Sequence, residues 1–263
     1  MRRVAILAAS GRELAPARAA LGPIRRGRLN AFRHQVGKAG GTEVHLIETG
    51  MGPEAALAAA RAVLDGVDVD TVVSTGYAGA LELAEIGDVI LGTDVLNWTK
   101  ERSRTVFHAD SASLSSARKA AGNSGLVWSE GPVVTVAQIV WRAAEKQALG
   151  RASGAIAVDM ESAAIAQAAA DKGVPFLVVR AVSDRAGEDL PMDFNLWFAP
   201  FGAWRCLLEI AKRPSILSEL DAMARNVNKA AESLAKFHCA LLELLESHVP
   251  QPDPETPLTA GVR

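Results

Sequence analysis

Two cysteines in 263 residues, Cys206 and Cys239, are too few for a disulfide scaffold and lack metal-ligand spacing. They point to a reducing, cytoplasmic setting. The five histidines, at 34, 45, 108, 238 and 248, have no zinc spacing. No metal or other cofactor is implied. An excess of one charge is also missing: the net charge of −2 gives no bias toward nucleic acid or an anionic membrane. A single local arginine is still enough for a small anionic ligand. No apolar run approaches the ~20 residues that span a bilayer. The apolar stretch 4–9 behind Met1-Arg2-Arg3 is too short for a signal peptide. No integral membrane protein is expected, and no internal repeat is visible.

What is present is ordinary globular composition, 49% apolar and 22% charged. The length suits one large α/β domain, with or without an appendage. Apolar runs predict strands at 4–8, 44–49, 71–74, 89–96, 132–136, 156–159 and 175–182. Helical patterns fall between them at 13–21, 53–64, 139–149 and 161–172. Pro53 suits a first helical turn, and Gly173 with Pro175 closes the last helix. Such alternation predicts a mainly parallel or mixed sheet with helices on its faces. Residues 97–125 are polar and Ser-rich, and read as a loop or flap with some helix. The character changes at Phe194, where Trp197, Phe198, Phe201 and Trp204 follow within eleven residues. One long amphipathic helix is expected over 216–245. The expected organisation is a core at 1–193, an aromatic segment and long helix packed on it at 194–249, and a proline-rich, disordered tail at 250–263.

In open α/β sheets, ligands bind outside the carboxyl ends of the strands. Asp159, Glu161 and Asp184 all fall at such ends. Two readings of these acids are open. They cap and polarise a helix, or they perform chemistry. The chemistry that fits is displacement at an anomeric carbon, through an oxocarbenium-like transition state. One group assists the leaving base and another carboxylate prepares water. The extension from O- to N-glycosides is by analogy. A purine leaves protonated on its ring, and a strand-end aspartate can supply that proton.

The run Ala155-Ile156-Ala157-Val158-Asp159-Met160-Glu161-Ser162 is followed by Val178-Val179-Arg180-Ala181-Val182-Ser183-Asp184. Together they resemble the signature of the nucleoside phosphorylase/nucleosidase superfamily. Gly76-Tyr77-Ala78-Gly79 with Gly87-Asp88-Val89 resembles its other marker. The wording is similar to methylthioadenosine/S-adenosylhomocysteine nucleosidases and to hopanoid-associated nucleoside phosphorylases, in ordered pieces from 4 to 194. The resemblance implies a three-layer αβα fold around a central mixed sheet, with a C-terminal helical extension. It implies that Glu161 binds the ribose hydroxyls and steadies the cationic sugar, with Met160 packed on the sugar. Asp184 is then the general acid at purine N7, oriented by Ser183. Glu13 activates water, and Arg180 contacts the nucleophile region. Gly79, Tyr77 and Ile139 line the substrate site.

Two departures from the pattern bear on the reaction. Tyr77 stands where nucleosidases carry a small residue, so it narrows the nucleophile pocket or contacts the sugar. Gln138, beside Ile139, stands where an aromatic residue stacks on adenine; Trp141 or Phe194 is the candidate replacement, although helix packing is the plainer reading of Trp141. Thr71 occupies the position of a phosphate-binding arginine, which weighs against phosphorolysis. Arg12, with Ser74, would hold phosphate in a phosphorylase. Glu13 beside Arg12 favours water. Hydrolysis of a 5′-substituted adenosine is the expectation, with phosphorolysis the alternative, and the expected assembly is a homo-oligomer. The aromatic segment reads as interface or core, or as an apolar wall beside the 5′ substituent.

Readings from other classes remain. The stretch 44–49, followed by Gly50-x-Gly52-x-x-Ala55, imitates a dinucleotide fingerprint, with Asp68 or Asp70 near the expected acidic spacing. Tight binding of a nicotinamide cofactor would support that reading. A nucleoside-binding protein without catalysis is the third class, and the joint presence of Glu13, Glu161 and Asp184 speaks against it. Ser116-Ala117-Arg118-Lys119 fits S-x-x-K but lacks the partner elements of that set; it reads as solvated helix.

Overall fold

The computed structural model describes residues 2–98, 104–198 and 202–247. At its centre β1 (Arg2–Ala8) pairs in parallel with β4 (Thr42–Glu48) and β5 (Thr71–Ala80). Its alternation serves two layers: Val4, Ile6 and Ala8 join one apolar cluster, while Ala5 and Leu7 join the other. This is the period of two that a strand buried on both faces requires.

The remaining described strands are β2 (Arg25–Leu29), β3 (Phe32–Ala39), β6 (Val89–Trp98), β7 (Arg104–His108), β8 (Trp128–Thr135), β9 (Ala157–Asp159) and β10 (Phe176–Asp184). The sheet order is β10-β6-β8-β9-β5-β1-β4-β3-β2, and β7 hangs on β6. Because β10 also pairs with β5, the strands β5, β10, β6, β8 and β9 close on themselves. Parallel and antiparallel pairings are mixed: β5 and β10 run parallel, β5 and β9 antiparallel. The carboxyl ends of β9 and β10 therefore flank the end of β5, where Gly79 pairs with both Val158 and Asp184.

Helices cover both faces. On one lie α1 (Gly11–Ala19), α3 (Ser111–Asn123) and α7 (Ile216–Ser247), contributing Leu14, Leu114, Ala117, Leu234 and Phe237 to the core. On the other lie α2 (Pro53–Gly66) and α5 (Ser162–Asp171), whose alanines allow close helix approach. The helices α4 (Ala143–Ser153) and α6 (Gly202–Lys212) and a 3-10 turn at Phe194–Phe198 complete the described elements. Among the described residues, no helix is long and apolar enough to cross a membrane.

Two local expectations are corrected, and one element went without an expectation. The stretch 97–125 holds strand β7 and the full helix α3, capped by Asp110, whose side chain accepts from Ser113 N at 2.8 Å. Its buried face is mostly alanine, so the hydrophobic periodicity is faint. The helix expected over 139–149 starts only at Ala143, so Trp141 precedes it and is not on a helix face. The polar stretch 25–39 forms the β2–β3 hairpin at the sheet edge, where one face needs no apolar residues. The expected tail, 250–263, lies outside the described residues.

Candidate active site

A cavity of about 410 Å³ opens beyond the ends of β1, β5, β9 and β10, a size suited to a small molecule. Glu13, Asp159, Glu161 and Asp184 all line it, as do Tyr77, Gly79, Ile139, Met160 and Ser183. No arginine or lysine is among the described lining residues.

Glu13 lies in the first turn of α1. Ser10 caps that helix: its Oγ accepts from Glu13 N at 3.3 Å and donates to Glu13 Oε2 at 2.9 Å. Tyr77 N donates to Glu13 Oε1 at 3.2 Å. The approach depends on Gly76, which has φ 152° and where a Cβ would fall 2.5 Å from Oε1. Burial raises the Glu13 pKa above its ordinary value; the bonds from Tyr77 and Ser10 and the charge of Arg180 oppose that shift. A carboxylate that binds a proton more readily than usual is suited to taking one from water.

Glu161 stands at the junction of β9 and α5. Its Oε1 accepts from Gly52 N at 2.8 Å. Gly50 and Gly52 have φ of 83° and 93°, a left-handed turn that glycine adopts without strain. The apparent dinucleotide fingerprint is thus a turn whose amide holds a carboxylate, and the oxidoreductase reading loses its structural basis. Burial, reinforced by the negative charge of Asp159, pushes the Glu161 pKa up to about 7.

Asp159 and Arg180 form a buried pair beneath the cavity. Arg180 Nη2 lies 2.7 Å from Asp159 Oδ2. The guanidinium also donates to Ser74 Oγ and Ser162 Oγ, each at 2.8 Å. Asp159 Oδ1 accepts from Thr135 Oγ1 at 2.6 Å and Ser162 N at 3.3 Å. The helix-capping reading of Asp159 therefore holds alongside its place in the cavity wall. Arg180, expected at the nucleophile region, is buried under the site instead and does not line it; its positive charge opposes, without cancelling, the rise of the Glu13 and Glu161 pKa values. Ser74 is fully buried in the same network. Arg12 turns away to Asn228 Oδ1 at 2.7 Å. Neither of the two residues considered for phosphate lines the cavity.

Asp184 ends β10. Ser183 Oγ donates to its Oδ1 at 2.8 Å, while Lys146 Nζ contacts its Oδ2. Gly79 leaves room for it, since a Cβ there would come within 2.9 Å of Oδ2. Lys146 is missed by the sequence reading. Its one legible signal is position: with Leu149, Gly150 and Ser153 it forms the inward face of α4 at helical spacing.

Asn195 is missed as well. Its side-chain oxygen accepts from Ile139 N at 2.8 Å and its nitrogen donates to Ile139 O at 2.9 Å, holding this stretch of the wall. Phe194, Trp197, Gln138 and Met223 add to the lining. Of the two candidates for stacking, Phe194 lines the cavity. Trp141 instead carries the guanidinium of Arg142 over its ring, 4.6 Å from the centroid. Trp197 is 62% exposed at the cavity edge. Phe201 lies outside the described residues.

Comparison with known proteins gives the family and the fold. A 5′-methylthioadenosine/S-adenosylhomocysteine nucleosidase of Thermotoga maritima is 28% identical over 186 residues, covering 68% of this chain and 83% of the relative. One of Shewanella halifaxensis is 29% identical over 191 residues, covering 66% and 83%. Among solved structures, the Neisseria meningitidis nucleosidase in complex with methylthio-immucillin-A superposes with a TM-score of 0.73 at 22% identity, over 94% of this chain and 100% of that one. A futalosine hydrolase mutant of Helicobacter pylori gives 0.74 at 19%, over 92% and 99%. The model of the phosphorylase superfamily matches residues 3–242. The chain belongs to the phosphorylase superfamily.

Proposed function

We propose that this protein hydrolyses the N-glycosidic bond of a 5′-substituted adenosine. One observation carries the choice of nucleophile: the carboxyl groups of Glu13, Glu161 and Asp184 converge on a cavity with no described lining cation. Phosphate needs cationic or clustered backbone donors, and three acids repel it. Water needs only a base. In this reading Glu13 takes a proton from the attacking water, Glu161 binds the ribose hydroxyls and steadies positive charge on the sugar, and Met160 packs against it. Asp184, held by Ser183, protonates the departing purine at N7. The name of the relatives, 5′-methylthioadenosine/S-adenosylhomocysteine nucleosidase, supports the substrate class. The apolar wall of Phe194, Trp197 and Met223 suits a thioether or other greasy 5′ group.

The test is an assay matrix: methylthioadenosine, S-adenosylhomocysteine, adenosine, inosine and uridine, each with and without phosphate, with the sugar product identified. Free sugar without phosphate is the expected result. Sugar 1-phosphate formed only with phosphate would replace hydrolysis by phosphorolysis, and release of no base from any substrate would leave a binding protein. Self-association and cytoplasmic residence belong to the same reading. Trp204, Leu208 and Leu217 are exposed apolar side chains available for an interface, and sedimentation velocity checks whether they form one.

A further inference from the structure

Lys146 is fully buried and reaches no solvent. Its ammonium has three donors, and all are matched: Asp184 Oδ2, the Arg185 carbonyl at 3.0 Å and the Glu188 carbonyl at 3.1 Å. A lysine is costly to bury as a charge, and a salt bridge is a weak reason for keeping one. Here the partner is the carboxyl group read above as the acid that protonates the leaving base. An ammonium that lent only charge would oppose that role, since it favours the carboxylate over the acid.

We propose that Lys146 and Asp184 act as one proton-donating pair, in which Asp184 touches the leaving base and Lys146, acting through it, holds Oδ2 and supplies the proton that the carboxyl group passes on. The inference rests on the assignment of Asp184 as the acid. Between them the two groups carry one transferable proton, on Nζ or on Oδ2. As the C1′–N9 bond breaks and its electron pair goes to the purine, Asp184 gives a proton to N7 and receives one from Nζ. The base leaves neutral. Water adds to C1′ and loses a proton to Glu13. After release, solvent takes the proton from Glu13 and returns one to the pair through Asp184, whose side chain is partly exposed while that of Lys146 is not. The pair is sequestered from other charges on its own flank. Arg185 binds Glu85 and Glu188 at the surface, and Asp189 accepts from Ala143 N at the start of α4. Across the cavity, Glu13, Glu161 and Asp159 are the acids that face it.

The test compares two leaving groups on the full-length protein over pH 5–10: methylthioadenosine, whose base leaves protonated, and the matching 4-nitrophenyl 5-methylthioriboside, whose leaving group needs no proton. Taking the ratio of the two turnover rates cancels the titration of Glu13. In the wild type, the ratio should stay nearly flat across neutral pH. In Lys146→Met, purine turnover should depend on acid pH, because solvent must then supply the proton that Lys146 supplied. The ratio should be roughly 10²-fold below wild type at pH 8, the scale of general acid catalysis. KM should stay within about threefold and the nitrophenyl rate should hardly move. Lys146→Gln, which keeps two donors for the carbonyls, replaces the Met variant if that does not fold.

Two outcomes would overturn the pair: a Lys146 variant whose ratio matches wild type across pH, or a variant that slows both leaving groups alike. Asp184→Asn is measured beside them. If it keeps purine turnover, the assignment of Asp184 itself fails; if it loses turnover while the Lys146 variants keep it, only the pair fails.

Discussion

Arg180 and Asp159 are joined by two nitrogens on one oxygen, Nε at 2.9 Å and Nη2 at 2.7 Å from Oδ2, with side chains 2% and 1% exposed. The pair ties the end of β9 to the middle of β10 and, through Ser162, to the start of α5, directly under the acids of the cavity. Removing one partner leaves an uncompensated buried charge. Asp159→Ala should therefore lose about 3–5 kcal/mol of stability, read from urea unfolding midpoints. A loss below about 1 kcal/mol would mean that water enters and compensates Arg180.

Gly79 predicts a separable effect. An added methyl would press on Asp184 Oδ2, the far end of a side chain held by Ser183 and Lys146, and would come 3.2 Å from Val158 Cγ1. Gly79→Ala should keep its melting temperature within a few degrees and lose roughly 10²-fold or more in kcat on purine nucleosides, because a small misplacement of the acid is enough. Unchanged kcat would show that Asp184 does not need this position.

Glu13→Gln keeps the shape of the side chain and removes the base. Hydrolytic kcat should fall by about 10²–10⁴-fold, and added phosphate should not restore it. In the wild type, Glu13 must be ionised to act. Its raised pKa moves the acid limb of kcat/KM above the ordinary carboxylate range. An acid limb at or below the ordinary glutamate value would contradict this role.

Glu161 links activity to stability. Its pKa rises from 4.5 to about 7 on folding, so the native state holds this proton more tightly than the unfolded chain. Stability from this group is complete below pH 4.5, is lost as pH rises through 7, and stays lost above it. At 1.36 kcal/mol per pH unit the cost is on the order of 3 kcal/mol. Glu161→Gln should keep the bond from Gly52, gain stability at pH 8 relative to pH 4.5, and lose activity, the trade expected of a strained site. Melting curves at the two pH values check the sign.

Trp197 forms part of the cavity wall although most of its surface is exposed. If it packs on the 5′ substituent, Trp197→Ala should reduce the preference for methylthioadenosine over adenosine by about tenfold in kcat/KM, the worth of a small apolar group in a hydrophobic pocket. An unchanged ratio would move Trp197 from the substrate to an interface.

The sequence by itself determined the layered fold and the acids. Strand and helix periods are local, so the alternation over 4–8, 53–64 and 175–182 was legible, and so were acids at strand ends. Faint signals hid α3, whose core face is alanine, and the edge hairpin β2–β3, whose polarity resembles a loop. Only the tertiary structure decided partners. Glu161 meets Gly52 across 109 residues, Glu13 meets Tyr77 across 64, and Lys146 of α4 meets Asp184 at the end of β10. It turned Arg180 inward and Arg12 outward, a choice that depends on which buried acid lies within reach. It also explained Gly76 and Gly79, whose missing side chains make room for Glu13 and Asp184. Residue type and period are written along the chain, but the environment that fixes charge, orientation and proton affinity exists only once distant strands are packed side by side.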